Sequence, residues 1–309
     1  MTIQILNTGL QTTIQDLGRE GFRHIGIPQS GAFDYLSAVK ANAILGKSIN
    51  SPLLECTMTG PTIKFLKDMQ ICVTGAKVSE LKLDNSLVAQ DALLDLKKGN
   101  ILSMNHAEEN LRFYIGFSED IKGTEFLGSV STYLPAKLGG LNGETIQKDQ
   151  MIDFKKASSE KYVGESISQI EKPFNTSVIR VVEGSEFHLL NMSASELEEN
   201  EYIISNDSNR MGIRTVGQEM KINETGSMKS KPIYPGTVQC PENGLPIILG
   251  ADAQTLGGYP RILQVIKADR HLLGQLKPGD RFRFSLVSIS DAIDEWNALK
   301  KAYPFICGL

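Results

Sequence analysis

The sequence predicts a mostly β protein. Three observations point that way. Short runs rich in β-branched and aromatic residues recur along the chain, several of them alternating polar with apolar. Glycine and proline separate them, with 28 glycines and 12 prolines in 309 residues. Only two stretches carry strong helical spacing. Many short strands with frequent turns suggest barrels or sandwiches rather than a βαβ repeat.

The elements read as follows. Ile3-Gln4-Ile5 alternates, as a half-buried strand does. The first helix is expected from about Tyr35 to Leu45. Asp34 caps it, Leu36, Val39 and Ala43 share a face, and Gly46 ends it. Thr62 to Phe65 and Gln70 to Thr74 are β-rich, the second ending at Gly75. Leu111 to Phe117 and Val178 to Val182 look similar, and Arg281 to Leu286 alternates. A helical turn is expected after Asp269. The second helix should run from about Asp291 to Tyr303, capped by Ser290, with Ile293, Trp296 and Leu299 facing the core. Asp291 and Asp294 near its start, and Lys300 and Lys301 near its end, suit the helix dipole.

The chain hints at duplication. Leu96 to Asn100 and Leu276 to Asp280 both read as a turn feeding a strand, and Thr145 to Phe154 is a looser third case. Gln11-Thr12 followed by Leu17-Gly18 echoes Gln254-Thr255 followed by Leu256-Gly257. Two related β-rich halves of about 1–155 and 177–309, intertwined and joined by the polar segment 156–176, would account for both echoes.

Composition excludes several classes. Hydrophobic residues are 41% and charged residues 22%, ordinary for a folded chain. A formal charge of -4 gives no global attraction for nucleic acid or an anionic membrane, and neither partner is expected. No run of about 18 apolar residues suggests a span. The start, Met1-Thr2-Ile3-Gln4-Ile5, lacks a signal-peptide pattern, and none of the four cysteines forms a Cys-x-x-Cys pair. A cytoplasmic protein with reduced, structural thiols is expected.

Three loops carry candidate chemistry. In the first, Gln11 to Asp34, glycines alternate with Asp16, Arg19, Arg23, His24, Ser30 and Asp34. Gly31 lets backbone amides approach a ligand, and the helix after Asp34 offers a positive end to a carboxylate or phosphate. A tight loop with a helix cap is the plain structural alternative. In the second, Asp252 to Arg261, Gln254 and Thr255 can hydrogen-bond a ligand and Gly257 and Gly258 leave room beside it. Tyr259 walls it and Arg261 meets an anion. A turn between strands is the alternative. In the third, Ser208-Asn209-Arg210-Met211-Gly212, Asn209 flanks Arg210, which can clamp a carboxylate with two hydrogen bonds. A surface arginine at a turn is the alternative. There is no P-loop, no nucleophile elbow and no His-Glu-x-x-His motif, and His106, His188 and His271 are scattered. No nucleophile and no metal-ligand set stands out.

Taken in order, these pieces resemble one family. It is variously called allophanate hydrolase subunit 2, the biotin-dependent carboxyltransferase C-terminal module, the antagonist of the sporulation-kinase inhibitor, and the C subunit of 5-oxoprolinase. The resemblance runs through Gly9 to Arg19, Ser30 to Asp34, Leu54-Glu55, Gly60-Pro61, Leu127 to Ser129, Ser131 to Tyr133 and Gly139-Gly140. It continues through Ser208 to Gly212, Gly236 to Gln239, Asp252 to Arg261 and Pro278 to Asp280. Lys137-Leu138, Leu256 and Cys240 depart from the family's usual residues.

The resemblance implies cyclophilin-like β-barrels in one carboxyltransferase C/D-type module over 1–309. Its leading implication is the C subunit of a cytoplasmic, ATP-dependent 5-oxoprolinase, inactive alone, that opens 5-oxoproline to L-glutamate. The implied partners are the enzyme's B subunit, of the sporulation-kinase-inhibitor type, and its A subunit. ATP with magnesium would act at the level of the complex. One alternative is a biotin-dependent carboxyltransferase acting on urea or a related amide. The chain itself has no Met-Lys-Met carrier site. The other is a non-enzymatic regulator that binds a kinase-inhibitor protein.

Overall fold

A computed structural model describes residues 2–157, 176–223 and 228–307. Residues 158–175 of the expected connector lie outside them. The chain divides into two compact units. One takes Met1–Arg19, Ser30–Lys172 and Tyr303–Leu309, and the other takes Glu20–Gln29 and Pro173–Ala302. Residues 20–29 and 303–309 therefore exchange between units.

The first unit holds β1 (Ile3–Asn7), β2 (Gln11–Gln15), α1 (Tyr35–Ile44), β3 (Leu53–Thr57), β4 (Thr62–Phe65), β5 (Met69–Val78) and β6 (Lys82–Leu83). It continues with β7 (Ser86–Leu87), β8 (Leu94–Leu96), β9 (Ile101–Ser103), β10 (Ala107–Phe117), β11 (Asp120–Ile121), β12 (Met151–Ile152) and β13 (Phe154–Lys155). The sheets are ordered β12-β1-β4-β9-β6-β7 and β2-β3-β10-β5-β8, with β11 paired to β13. Alternation explains the core. Ile3, Ile5, Ile63, Phe65 and Leu102 come from the first sheet, and Ile14, Leu54, Val73, Phe113 and Ile115 from the second, into one buried apolar cluster.

β5 does not end at Gly75 as expected. Gly75 sits inside it at φ +98°, where an added Cβ would lie 2.7 Å from the Arg112 carbonyl, and the register with β10 shifts between Glu109 and Phe113. The glycine marks a bulge rather than a strand end. The first helix forms as expected, with Asp34 Oδ1 accepting from the Ser37 amide at 3.1 Å. Its small residues allow close packing: Ala38 and Ala41 are buried with Leu53 and Tyr114.

The second unit holds β14 (Val178–Glu183), α2 (Ala194–Glu199), β15 (Tyr202–Ile204), β16 (Gly212–Gly217), β17 (Lys231–Pro232) and β18 (Thr237–Gln239). It continues with β19 (Ile247–Leu249), β20 (Leu256–Gly257), β21 (Arg261–Val265), α3 (Arg270–Leu273), β22 (Arg281–Leu286) and α4 (Ile289–Ala302). Seven strands close a barrel in the order β14-β21-β18-β19-β16-β15-β22. β14 and β22 pair in parallel, which a local hairpin cannot supply. β22 alternates as expected, placing Phe282 and Phe284 inside against Tyr202, with centroids 5.1–5.7 Å apart. A 3₁₀ turn at Lys267–Asp269 runs into α3 where a helical turn was expected. The fold class is as the sequence predicts: mostly β, with few short helices.

α4 corrects two expectations. It begins at Ile289, and its first turn is closed by Ser288, not Ser290. Ser288 Oγ accepts from the Asp291 amide at 3.1 Å, and Asp291 Oδ2 accepts from the Ser288 amide at 3.2 Å. Leu299 is buried, but Ile293 is 55% exposed. Trp296 is partly exposed and flanked by the ammonium groups of Lys267 (4.3 Å) and Lys300 (5.9 Å). These amphipathic side chains shield the ring in place of a deeper apolar face.

Candidate functional site

The candidate residues fall into two groups, one in each unit. In the first unit, Asp16 follows β2 and is buried. Its Oδ1 accepts from the Gly18 amide (2.7 Å), Ser129 Oγ (2.6 Å) and Ser131 Oγ (2.5 Å), and its Oδ2 accepts from the Val130 amide (2.8 Å). Four donors hold this carboxylate, so it ties loop 16–18 to loop 129–131. Arg19 is buried beside it, donating to the carbonyls of Ser131 and Phe126, with its guanidinium over the Phe126 ring. Both residues shape the loop through internal bonds.

Ser30 and Gly31 both have positive φ, +58° and +89°. A Cβ on Gly31 would lie 2.7 Å from the Leu17 carbonyl carbon, which explains the glycine. Ser30 is buried, and its hydroxyl has no hydrogen-bond partner among the described residues. Asp34 is committed to the helix: its carboxylate accepts from the Ser37 amide and hydroxyl, and its amide donates to Tyr114 Oη at 2.7 Å. Tyr114 Oη in turn donates to Glu55 at 2.9 Å. Burial, with Glu55 and Asp34 adding to it, pushes the Tyr114 hydroxyl well above its ordinary value. A carboxylate at the cap already occupies the helix end where an incoming anion was expected.

In the second unit, Arg210 does clamp a carboxylate with two hydrogen bonds, but it is Asp252 of this chain, at 2.8 and 3.0 Å, both residues buried. Asn209 is exposed, and its side-chain oxygen accepts from the Met211 amide at 2.8 Å, fixing the turn. Arg261 is likewise engaged. It grips Glu186 at 2.8 Å through both Nε and Nη2, and Nη1 donates to the Pro232 carbonyl at 2.9 Å. The expectation that Arg261 is available for an outside anion is thus corrected. Arg261, with Lys231 adding to it, holds the Glu186 carboxyl down at about 2.

The remaining candidates gather around the pairing of β17 with β20. Lys231 faces Gly257 and Pro232 faces Leu256, and the Ile233 amide donates to the Thr255 carbonyl at 3.1 Å. Gly257 is buried, and a Cβ there would lie 2.7 Å from Gln239 Nε2 and 2.9 Å from Ile233, which explains the glycine. Gly258 and Gln254 are exposed, and Tyr259 is half exposed. The turn Arg23–Ile25 belongs to this unit, with His24 exposed on it. Arg23 reaches the strand pair: its Nη2 donates to the carbonyls of Ile233 and Gln254, and its guanidinium lies 5.3 Å from the Tyr234 ring centroid. Sequence reasoning left Arg23 among the loop's polar residues and missed Glu186 and Asp252 as partners. No spacing signal pairs residues 75 or 42 positions apart, and only the folded barrel does.

Residues 25–286 match the family described as carboxyltransferase domain, subdomain A and B. The chain belongs to that family. The matching subdomains are A and B, where the sequence reading had a C/D-type module. This carboxyltransferase-family chain is 33% identical to the 5-oxoprolinase C subunit of Escherichia coli over 94% of its length and 93% of that protein's. It is 35% identical to the 5-oxoprolinase C subunit of Haemophilus influenzae, with the same coverage. It is also 29% identical to urea amidolyase of Saccharomyces cerevisiae, spanning 91% of this chain but 16% of that one. Among solved structures, the K. lactis urea amidolyase shares 26% identity and a TM-score of 0.89 over 98% of this chain and 20% of that one.

Proposed function

We propose that this chain is the C subunit of a cytoplasmic, multi-component, ATP-dependent 5-oxoprolinase that opens 5-oxoproline to L-glutamate. The observation that carries the reading is the end-to-end match to two 5-oxoprolinase C subunits, which covers over nine-tenths of both chains. The urea amidolyase likeness covers only a small part of a far longer protein. One subunit of an enzyme implies others. We assign these as a B subunit of the sporulation-kinase-inhibitor type and an A subunit, without which the chain is inactive.

The chemistry asks for few things of this chain. A lactam carbonyl is a poor electrophile, so ATP with magnesium supplies the activation within the complex. Among the described residues no cluster of three or more metal-ligating side chains is gathered, and the chain carries no P-loop. What its own residues offer is binding and orientation. Gln254, Thr255 and the loop through Gly258 and Tyr259 present polar groups and an aromatic wall at the β17–β20 pair. His24 stands exposed on the neighbouring turn, within reach of a bound substrate's polar groups. Arg210 and Arg261, held by Asp252 and Glu186, keep these loops in place.

A second reading, a carboxyltransferase acting on urea or a related amide with biotin as carrier, draws on the 0.89 TM-score to the urea amidolyase structure. One assay separates the two. The chain, its two partners and ATP are mixed with 5-oxoproline, and glutamate is measured with each component withheld in turn. Glutamate from the full mixture alone is expected. A folded, assembled complex that yields none sinks the 5-oxoprolinase reading and brings forward urea carboxylation, with a purely regulatory role behind it.

A further inference from the structure

We propose that Arg23 is the seat of an oxyanion-binding site beside the β17–β20 pair, taking the carboxylate or phosphate of a small molecule. The first observation is an unmatched donor. Nη2 of Arg23 is satisfied by the carbonyls of Ile233 and Gln254, but Nη1 is buried with no acceptor among the described residues. A buried cationic donor without an acceptor is rare, because the lost hydration is not replaced.

The second observation is the contrast with three other arginines of this unit. Arg180, Arg210 and Arg261 each give Nε and Nη2 to one carboxylate, those of Asp269, Asp252 and Glu186. Arg23 has no carboxylate within ion-pair distance among the described residues and meets only neutral carbonyl oxygens. Burial lowers its pKa, and the neighbour that counteracts this is Tyr234. The same tyrosine acts on Arg261. Arg23, Arg261 and Lys231 therefore lie beside the strand pair with Glu186 as the carboxylate that two of them share. The imbalance is positive, and a bound anion corrects it.

The third observation is the setting. Tyr234 is 53% exposed, with its ring 5.3 Å from the guanidinium, and Leu256 and Tyr259 are 56% and 50% exposed. Gln254 is exposed on the same segment that supplies a carbonyl to Arg23. Convergent polar groups beside aromatic and aliphatic walls suit a small molecule with an apolar body and one charged end. An anion bound here gives the covered Nη1 the acceptor it lacks, and the side chains around it give way to admit it. If the anion is the carboxylate of 5-oxoproline, this site deepens the function proposed above and rests on it. Phosphate is the other source of the same chemistry.

The test titrates the full chain by calorimetry with 5-oxoproline, with inorganic phosphate, and with 2-pyrrolidinone, which keeps the lactam and lacks the carboxylate. Either anion is expected to bind, 2-pyrrolidinone at least tenfold more weakly than 5-oxoproline, and whichever anion binds more tightly identifies the source. Arg23→Met should weaken anion binding at least tenfold, and Arg23→Lys should recover part of it. Should Arg23→Met fail to fold, Arg23→Lys and the 2-pyrrolidinone comparison on the unaltered chain still decide. Anion binding untouched by the folded variants, no anion binding at all, or 2-pyrrolidinone binding as tightly as 5-oxoproline overturns the proposal. In the assembled complex, Arg23→Lys should raise KM for the anionic substrate more than it lowers kcat, a split that a merely structural staple does not produce. An active complex with KM unchanged removes Arg23 from the site and leaves the 5-oxoprolinase reading standing. A complex that makes no glutamate, while the chain still binds anions through Arg23, does the reverse.

Discussion

Arginines and carboxylates that look alike in the sequence do different work once folded. Arg210 and Arg261 sit in glycine-bearing loops and read as anion clamps, and each clamps an anion of its own chain. Asp16 reads as a ligand contact and instead gathers four donors from two loops. Residue type and loop context were legible, but which partner each charge meets was not, because the partners are supplied by distant strands. The Glu186 pair makes a testable case. Its carboxyl is held at about 2 against an ordinary 4.5, so the native state favours the ionised form. That contribution is complete above about pH 4.5 and is lost as pH falls through the window down to about 2. Urea unfolding across this window should show the unaltered chain losing stability more steeply than Glu186→Gln. Parallel curves would show that the pair does not couple folding to protonation.

At the level of elements, local signals held where bonding is local. Three turns share one pattern. In Lys97–Asn100, Gln147–Gln150 and Lys277–Asp280, the first amide donates to the fourth side chain (2.6, 2.9 and 2.9 Å) and the fourth amide donates back to the first carbonyl. The third residue has positive φ each time: Gly99, Asp149 and Gly279. Each turn hands directly into a strand, β9, β12 or β22, so the three similar stretches seen in the sequence are one turn used three times. Caps were less legible. Two serines precede the acidic residue at the start of α4, and spacing by three favours Ser288, the residue that bonds Asp291. The same spacing marks Ser193 and Glu196 at the start of α2, a helix the sequence reading passed over. Ser288→Ala should destabilise the chain by about 1 kcal/mol, and Ser290→Ala should do so by clearly less. Chemical denaturation of the two variants decides, and equal losses would return the cap to Ser290.

At the scale of the molecule, strand content was readable from alternation, and barrel closure was not. The parallel β14–β22 pair joins residues about a hundred positions apart, and no local pattern encodes that register. Each unit carries its own buried core, around Phe65 and Phe113 in one and around Tyr202, Phe282 and Phe284 in the other. The single tryptophan, Trp296, reports on the second unit alone, whereas backbone circular dichroism reports on both. Urea transitions followed by the two signals should separate. Coincident curves would show that the two cores melt as one.

The exchange of segments between units bears on synthesis. Tyr303, Phe305 and Ile306 are buried in the unit that starts at the other end of the chain, and the turn they form packs against α1. That unit therefore waits for residues 303–306 to leave the ribosome before its surface is closed, although its described strands, which end at Lys155, are made first. Until then the α1 side of a nascent chain stays open, a window in which a chaperone or a partner protein has first access.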